Sequence, residues 1–422
     1  MQYKKTKLKS GLTIITAPMK DNPSVTVLVM VRAGSKYETK EINGLSHFLE
    51  HMYFKGTQRR PKAIDISREL DGLGAQNNAF TGQEYTGYYA KAHPKHFSKI
   101  LDVVSDIYLN PVFDEKEIEK EKGVIVEEIN MYEDLPNHIV QDIFLETIYG
   151  DQPAGWNIAG TKENVKKMTR KDFLKYRKNN YVAEGTIVLV AGDINEKKAI
   201  EEITKTFQKI PTGKKSGKLK VVEKQTKPEI KIKHKETDQT HIVLGVRTYD
   251  AKNKKNHALF VLNTVLGQGM SSRLFQKLRD EMGVGYYVHS GVSEFTDHGY
   301  LAVSTGVDNS RVKEVVVAIL DEMKKLADGK ISEAELKKAK DYMIGHMYLG
   351  LESSDAVAWD CASQFILTEK ILTPIELAEK IQNVTASEIR KIAREIFIDS
   401  RLNMAIVGNI KNETELRKIF RF

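Results

Sequence analysis

Apolar residues follow two different periods along the chain. Residues 24–33 (SVTVLVMVRA) and 241–246 (HIVLGV) are short runs rich in β-branched side chains, and they read as strands. Elsewhere the apolar positions fall at helical spacing. Between residues 323 and 349, Met323, Leu326, Leu336, Ala339, Met343 and Met347 form one stripe, interrupted only by Gly329. Both short turns and long helices join the strands, so the pattern predicts an α+β fold of mixed sheets with helices packed on them.

The pattern repeats. Thr169-Arg170-Lys171-Asp172 opens a helix that is followed by the strand-like TIVLVAGDI from Thr186, and Thr385-Ala386-Ser387-Glu388 opens another, followed by LNMAIVGNI from Leu402. Each threonine has an acid three residues on, the arrangement of an N-cap with its reciprocal partner. The distance from capping threonine to strand-ending glycine, Gly192 or Gly408, is 23 residues in both. Asp114-Glu115-Lys116-Glu117 and Ser332-Glu333-Ala334-Glu335 begin long charged helices at nearly the same offset, 218 residues. A period this long marks a duplicated domain rather than a solenoid. The predicted division is a first half over 1–212, a linker over 213–228 and a homologous second half over 229–422. The stretch 211–228 holds Gly213, Ser216, Gly217 and six lysines with little apolar periodicity, so it reads as a solvated connection.

Composition narrows the function classes. Across 422 residues, 65 Lys and Arg against 57 Asp and Glu leave a net charge of +8, too mild and too scattered to indicate nucleic-acid binding. The lone Cys361 excludes an internal disulfide framework and a cysteine-rich metal site, and it reads as a small core residue. No run approaches the roughly 18 apolar residues of a membrane helix. The Met1-Gln2-Tyr3-Lys4-Lys5 start lacks the apolar core of a signal peptide. The expectation is a soluble, cytoplasmic chain without membrane or nucleic-acid partners.

Chemistry concentrates in Gly44-Leu45-Ser46-His47-Phe48-Leu49-Glu50-His51-Met52. On a helix, i, i+3 and i+4 share a face, so His47 and His51 can hold one metal ion with Glu50 beside them. Phe48, Leu49 and Met52 then turn toward a core. Two imidazoles suit zinc, and a neighbouring carboxylate can take a proton from water in metal-assisted hydrolysis. The order inverts the commoner His-Glu-x-x-His motif. A third ligand is needed, and Glu121 and Glu128 lie two helical turns apart on one face while Glu127 points elsewhere. One could ligate while the other steadies a ligating histidine.

These residues resemble the pitrilysin and insulinase family of inverted zincins, most closely the mitochondrial processing peptidase and its bacterial relatives. The resemblance runs from Leu8-Lys9-Ser10-Gly11-Leu12 to Val407-Gly408-Asn409-Ile410. It implies one zinc per chain on His47, His51 and Glu128, with Glu50 as general base and Glu121 as supporting glutamate. It implies that Asn78-Ala79-Phe80-Thr81 forms the edge strand along which substrate lies extended, with Asn78 on the substrate backbone. In the second half it implies that Arg279 and Tyr286 orient substrate, as an Arg and a Tyr donating to a peptide carbonyl can do. Here Val284-Gly285 precedes Tyr286 where the family usually has Leu-Ala. At the 218-residue offset, Glu121 and Glu128 correspond to Ala339 and His346, and the second half has no His-x-x-Glu-His. The resemblance therefore implies a clamshell with one metal-bearing half and one silent half.

The resulting expectation is a homodimeric zinc metalloendopeptidase acting on short or unfolded polypeptides. The alternative is a catalytically silent relative that serves as an assembly subunit. Nine acidic residues between Val112 and Asp134, against three lysines, suggest a taste for basic residues near the cut.

Overall fold

The strands fall into two mixed sheets. In the computed structural model, which describes residues 2–410 and 412–422 and leaves the side chain of Tyr286 outside the described residues, these are β1 (Lys4–Lys7), β2 (Thr13–Pro18), β3 (Val25–Val31), β4 (Gln76–Thr81), β5 (Thr86–Ala92), β6 (Thr186–Gly192), β7 (Glu229–His234), β8 (Gln239–Arg247), β9 (Gly285–Glu294), β10 (Gly299–Asp308) and β11 (Leu402–Gly408). The first sheet is six-stranded in the order β1-β2-β6-β3-β5-β4, and the second five-stranded in the order β7-β11-β8-β10-β9. Apart from β1 the two orders match step by step. A parallel pair (β2 with β6, β7 with β11) is followed by three antiparallel pairings ending at an edge, β4 or β9. The α+β class and the duplication are thus features of the fold. Both predicted capping boxes, at Thr169 with Asp172 and at Thr385 with Glu388, are formed. The long apolar stripe divides near Gly329 into helices Val312–Ala327 and Glu333–Gly350.

Central strands are apolar on both faces because both faces are covered. β3 reads VTVLVMV with every residue buried, the pattern of a strand between two helical layers rather than one facing water. On one face Val25, Val27, Val29 and Val31 pack with Phe48, Leu49, Val104 and Phe173 of three helices. On the other, Leu28 and Met30 meet Val357, Ala358, Cys361 and Ala362 of the helix Ser354–Thr368.

Compactness divides the chain differently from the sequence repeat. One unit comprises residues 1–129, 157–219 and 348–373, and the other 130–156, 220–347 and 374–422. Each half therefore supplies one helix to the other's unit. The helix Pro136–Tyr149 covers the second sheet through Ile139, Val140, Ile143 and Phe144 against Val243, Ala302 and Ala405, while Ser354–Thr368, one repeat later, covers the first. The lysine-bearing linker has no buried residue, but it is tied to both units at several points. In the first unit Lys215 lies over the Tyr37 ring at 3.8 Å, Ser216 N–H donates to Asn179 O at 3.0 Å and Lys218 pairs with Glu84 at 3.1 Å. In the second, Val222 N–H donates to Gln152 Oε1 at 2.9 Å. Extended backbone leaves its polar groups free to make such bonds, which apolar periodicity does not register. Among the described residues no helix is long and apolar enough to cross a membrane.

Candidate metal centre

The motif forms a short helix, Leu45–Tyr53, in the first unit. Its apolar side, Leu45, Phe48, Leu49, Met52 and Tyr53, is fully buried. Phe48 meets Phe173 edge-on at 4.9 Å, and Tyr53 stacks among Tyr88, Phe113 and Tyr181. That anchorage turns His47, Glu50 and His51 together onto the opposite, half-buried side, as the spacing predicts. Two further features pin the helix start. Gly44 has φ of 101°, and a Cβ there would lie 2.5 Å from Ala159 O, so only glycine fits. The buried Glu38 carboxylate accepts from Gly44 N at 2.8 Å, Ser46 N at 2.6 Å and Asn43 Nδ2 at 3.1 Å, satisfying main-chain donors at the helix start. Burial raises its pKa to about 7 against the opposing pull of these bonds.

The two glutamates come from the helix Glu115–Asp134, whose Ile118, Ile125 and Ile129 are buried so that the Glu121–Glu128 face meets the histidines. Their partners differ. Glu121, almost wholly buried, accepts from His51 Nδ1 at 3.0 Å and pairs with Lys55 Nζ at 2.5 Å. Holding the proton on Nδ1 leaves His51 Nε2 free as a ligand. Glu128 instead faces both Nε2 atoms, with Oε1 3.7 Å from His47 and Oε2 3.4 Å from His51. The ligand atoms of His47, His51 and Glu128 all lie within 4.8 Å of one another.

This donor set fits zinc. Bonds of roughly 2.0–2.2 Å put tetrahedral ligands about 3.3–3.6 Å apart, close to the two distances from Glu128. Among the described residues buried Glu128 Oε2 has no hydrogen-bond donor, though it faces His51 Nε2 at 3.4 Å, and a bound cation would offset that cost. Without metal the local fields show the same mutual attraction. Burial lowers the His47 pKa, but Glu128, Glu50 and Glu38 outweigh it and the net shift is upward. Glu128 is held below its ordinary value, first by its interaction with His47 and against the effect of burial. For Glu121, burial pushes upward and is overcome by His51 and Lys55, leaving it lowered.

Glu50 Oε2 accepts from Thr81 Oγ1 at 2.5 Å, which ties it to β4, the edge of the first sheet. Within Asn78-Ala79-Phe80-Thr81, the side chains of Ala79 and Thr81 share the motif-helix face. Phe80 turns to the opposite face and meets Trp359 at 4.3 Å. Asn78 Oδ1 accepts from Ala79 N–H at 2.9 Å. Arg279 stands in the second unit, in a π-helical turn, Phe275–Glu281, and donates to Gly285 O at 2.8 Å. Tyr286 follows in β9, its side chain lying outside the described residues.

Three contributors are not apparent from the motif alone. Lys55, just past the end of the motif helix, Glu38 and the Thr81 hydroxyl all reach the site only through tertiary structure.

Comparison with known proteins identifies the family of the chain. Residues 13–162 match the family described as Insulinase (Peptidase family M16), and residues 167–343 match the Peptidase M16 inactive domain. The "Uncharacterized zinc protease YmxG" of Bacillus subtilis is 35% identical, covering 93% of this chain and 95% of its own. The "Uncharacterized zinc protease SCO5738" of Streptomyces coelicolor is 31% identical, covering 98% of this chain and 91% of its own. Among solved structures, a protease from Helicobacter pylori superimposes with a TM-score of 0.89 at 25% identity, covering 96% of this chain and 99% of that one. A Pseudomonas fluorescens peptidase M16 inactive domain has the same fold, also at 0.89, with 15% identity and coverage of 98% and 100%. The chain belongs to the insulinase family of peptidases, family M16.

Proposed function

We propose that this protein is a zinc-dependent endopeptidase that cleaves short or unfolded polypeptides. The observation that carries the reading is the convergence of His47, His51 and Glu128 within 4.8 Å, with Glu50 on the same helical face. Bound zinc, one per chain on those three residues, would polarise the scissile carbonyl and make a water acidic enough to ionise near neutral pH. Glu50 takes the proton of the attacking water and returns it to the departing amine. Glu121 holds His51 in its ligating tautomer. Substrate adds as a strand along Asn78 to Thr81, so main-chain hydrogen bonds supply affinity and side-chain pockets supply selection. A substrate carbonyl takes over the Ala79 N–H now covered by Asn78, leaving the Asn78 amide free to bond the substrate backbone. Arg279 and Tyr286 donate to substrate carbonyls.

Replacing Glu50 by Gln should abolish cleavage of an unstructured peptide library while zinc content, measured by mass spectrometry, stays near one per chain. Wild-type turnover in that variant would refute the role of Glu50. The same library tests the preference for basic residues. A cleavage profile with no enrichment of basic residues near the cut would exclude that preference. A homodimer is proposed as the working form, and light scattering that finds a monomer would exclude it. The silent-subunit alternative requires that the chain purify without zinc and cleave nothing. The convergence of two imidazoles and the Glu128 carboxylate argues against it.

A further inference from the structure

We infer that Thr81 is a positioning residue that registers the Glu50 carboxylate to the strand on which substrate docks. This rests on the reading of Glu50 as general base. The Thr81 hydroxyl donates to Glu50 Oε2 at 2.5 Å, at the short end for a charge-assisted O–H···O⁻ bond. Among the described residues it is the only hydrogen bond to that carboxylate, and Glu50 has three side-chain torsions to fix. A second contact of the same hydroxyl, to Ser46 O at 3.5 Å, points it at the motif helix.

The main chain of Thr81 faces a different way. Gly82 N–H donates inward to Tyr85 O at 2.8 Å, closing the turn toward β5. Main-chain groups alternate direction with a period of two, so residues 80 and 82 bond toward β5 while Ala79 and Thr81 face the open edge. The Ala79 N–H agrees: it bonds the Asn78 side chain rather than the neighbouring strand. One residue therefore offers its backbone to an incoming strand and its side chain to the base. Docking a peptide on β4 fixes the scissile carbonyl and, through Thr81, the carboxylate that activates the attacking water. An edge strand without that hydroxyl would bind peptide equally well and leave the base free to swing.

The test compares Thr81→Val, Thr81→Ser and Glu50→Gln, each zinc-loaded, on an internally quenched peptide taken from the library's best substrates. Thr81→Val keeps the branched shape and removes the donor. It should lower kcat by about tenfold to hundredfold, the scale of a misplaced catalytic group, with KM within twofold and zinc content unchanged. Thr81→Ser should restore kcat to within about threefold of wild type, which separates loss of the hydroxyl from a folding defect. A readout independent of turnover is the affinity of a fluorescent peptide for Glu50→Gln with and without Thr81→Val, expected to be equal. Unchanged kcat in Thr81→Val, a loss confined to KM or peptide affinity, or a Ser variant as impaired as Val would overturn the inference while Glu50→Gln remains inactive. Full activity in Glu50→Gln would instead overturn the general-base assignment, and this inference with it.

Discussion

Glu121 and Glu128 share a helical face and a charge, but the two carboxylates face different partners. Glu128 approaches both Nε2 atoms, whereas Glu121 holds His51 Nδ1 at 3.0 Å and Lys55 at 2.5 Å. Glu121→Gln isolates the second role, because glutamine keeps an oxygen for the Nδ1–H and removes only the charge. The imidazole loses basicity at Nε2 but keeps its orientation. Supporting carboxylates of this kind contribute about tenfold to hundredfold in metal affinity, or about 1.4–2.7 kcal/mol. The released Lys55 ammonium sits on a side chain 25% exposed and can turn to water. Folding stability should therefore fall, since Glu121 itself is buried, but by less than the roughly 3–5 kcal/mol of a buried charge stripped of its partner, because glutamine is neutral and Lys55 reaches water. The assay is competition for zinc between metal-free protein and a chelating dye at pH 7.5, with Glu128→Gln alongside. The expected order of affinity is wild type, then Glu121→Gln, then Glu128→Gln. Equal losses in the two variants would make Glu121 a ligand in its own right, and no loss in Glu121→Gln would remove its role.

Other consequences are open to measurement. Glu38 binds its proton up to about pH 7 in the fold and only to about 4.5 when unfolded, so the native state retains a proton that the unfolded state has released and stability falls as pH rises through that window. The raised His47 of the metal-free protein acts in the same direction, its contribution present below about 6.5 and lost above the folded value. Urea midpoints of metal-free protein should decline from pH 5 to 8, by about 3 kcal/mol from Glu38 alone, and a midpoint that is flat or rises across that range would contradict the burial of Glu38. Phe48→Ala removes a fully buried ring packed on Phe173 and should cost about 3–5 kcal/mol; a loss under about 1 kcal/mol would mean that the motif helix is not anchored through this face. Cys361 is fully buried, and burial, aided by Asp360, pushes its thiol to about 12. Thiol reagents should therefore label it only as fast as the helix Ser354–Thr368 leaves the first sheet, and labelling at the rate of a free thiol would refute that packing.

Much of the site was legible because it depends on helical periodicity. His47, Glu50 and His51 share a face at i, i+3 and i+4, and Phe48, Leu49 and Met52 supply the apolar side that orients it. The seven-residue separation of Glu121 and Glu128 worked in the same way, although their division of labour needed distances. Glu38 was not legible, since a buried glutamate capping a helix from a preceding loop has no sequence period. The exchanged helices were not legible either. Apolar residues such as Val140 and Phe144, or Val357 and Phe365, state that a face will be buried but not which of two similar sheets will bury it. The linker is largely exposed, as its composition suggests, whereas the partners of Lys215 and Lys218 come from tertiary contacts that no local pattern specifies.

The duplicated scaffold also shows where the two copies differ around the candidate site. After β3 comes the motif helix, buried on one side and open on the other; after the equivalent β8 comes Asn256–Gly267, in which ten of twelve residues are buried. The silent helix has Val261, Leu262, Val265 and Leu266 with Asn263 and Thr264, and its all-round burial leaves no face on which ionisable ligands could stay solvated or meet a metal. The partner helix changes in step: where Glu121 and Glu128 stand in the first copy, the second has Ala339, buried at 2%, and His346, whose ring lies tilted against Tyr342 at 4.1 Å. Strand order is the same in both, so the sheet does not decide the chemistry. The decision lies in whether one short helix keeps a polar side and whether the charged helix answers it with carboxylates two turns apart. Grafting only His-x-x-Glu-His onto 256–267 would bury charges without partners, and the physical expectation is an unfolded second unit rather than a second metal centre.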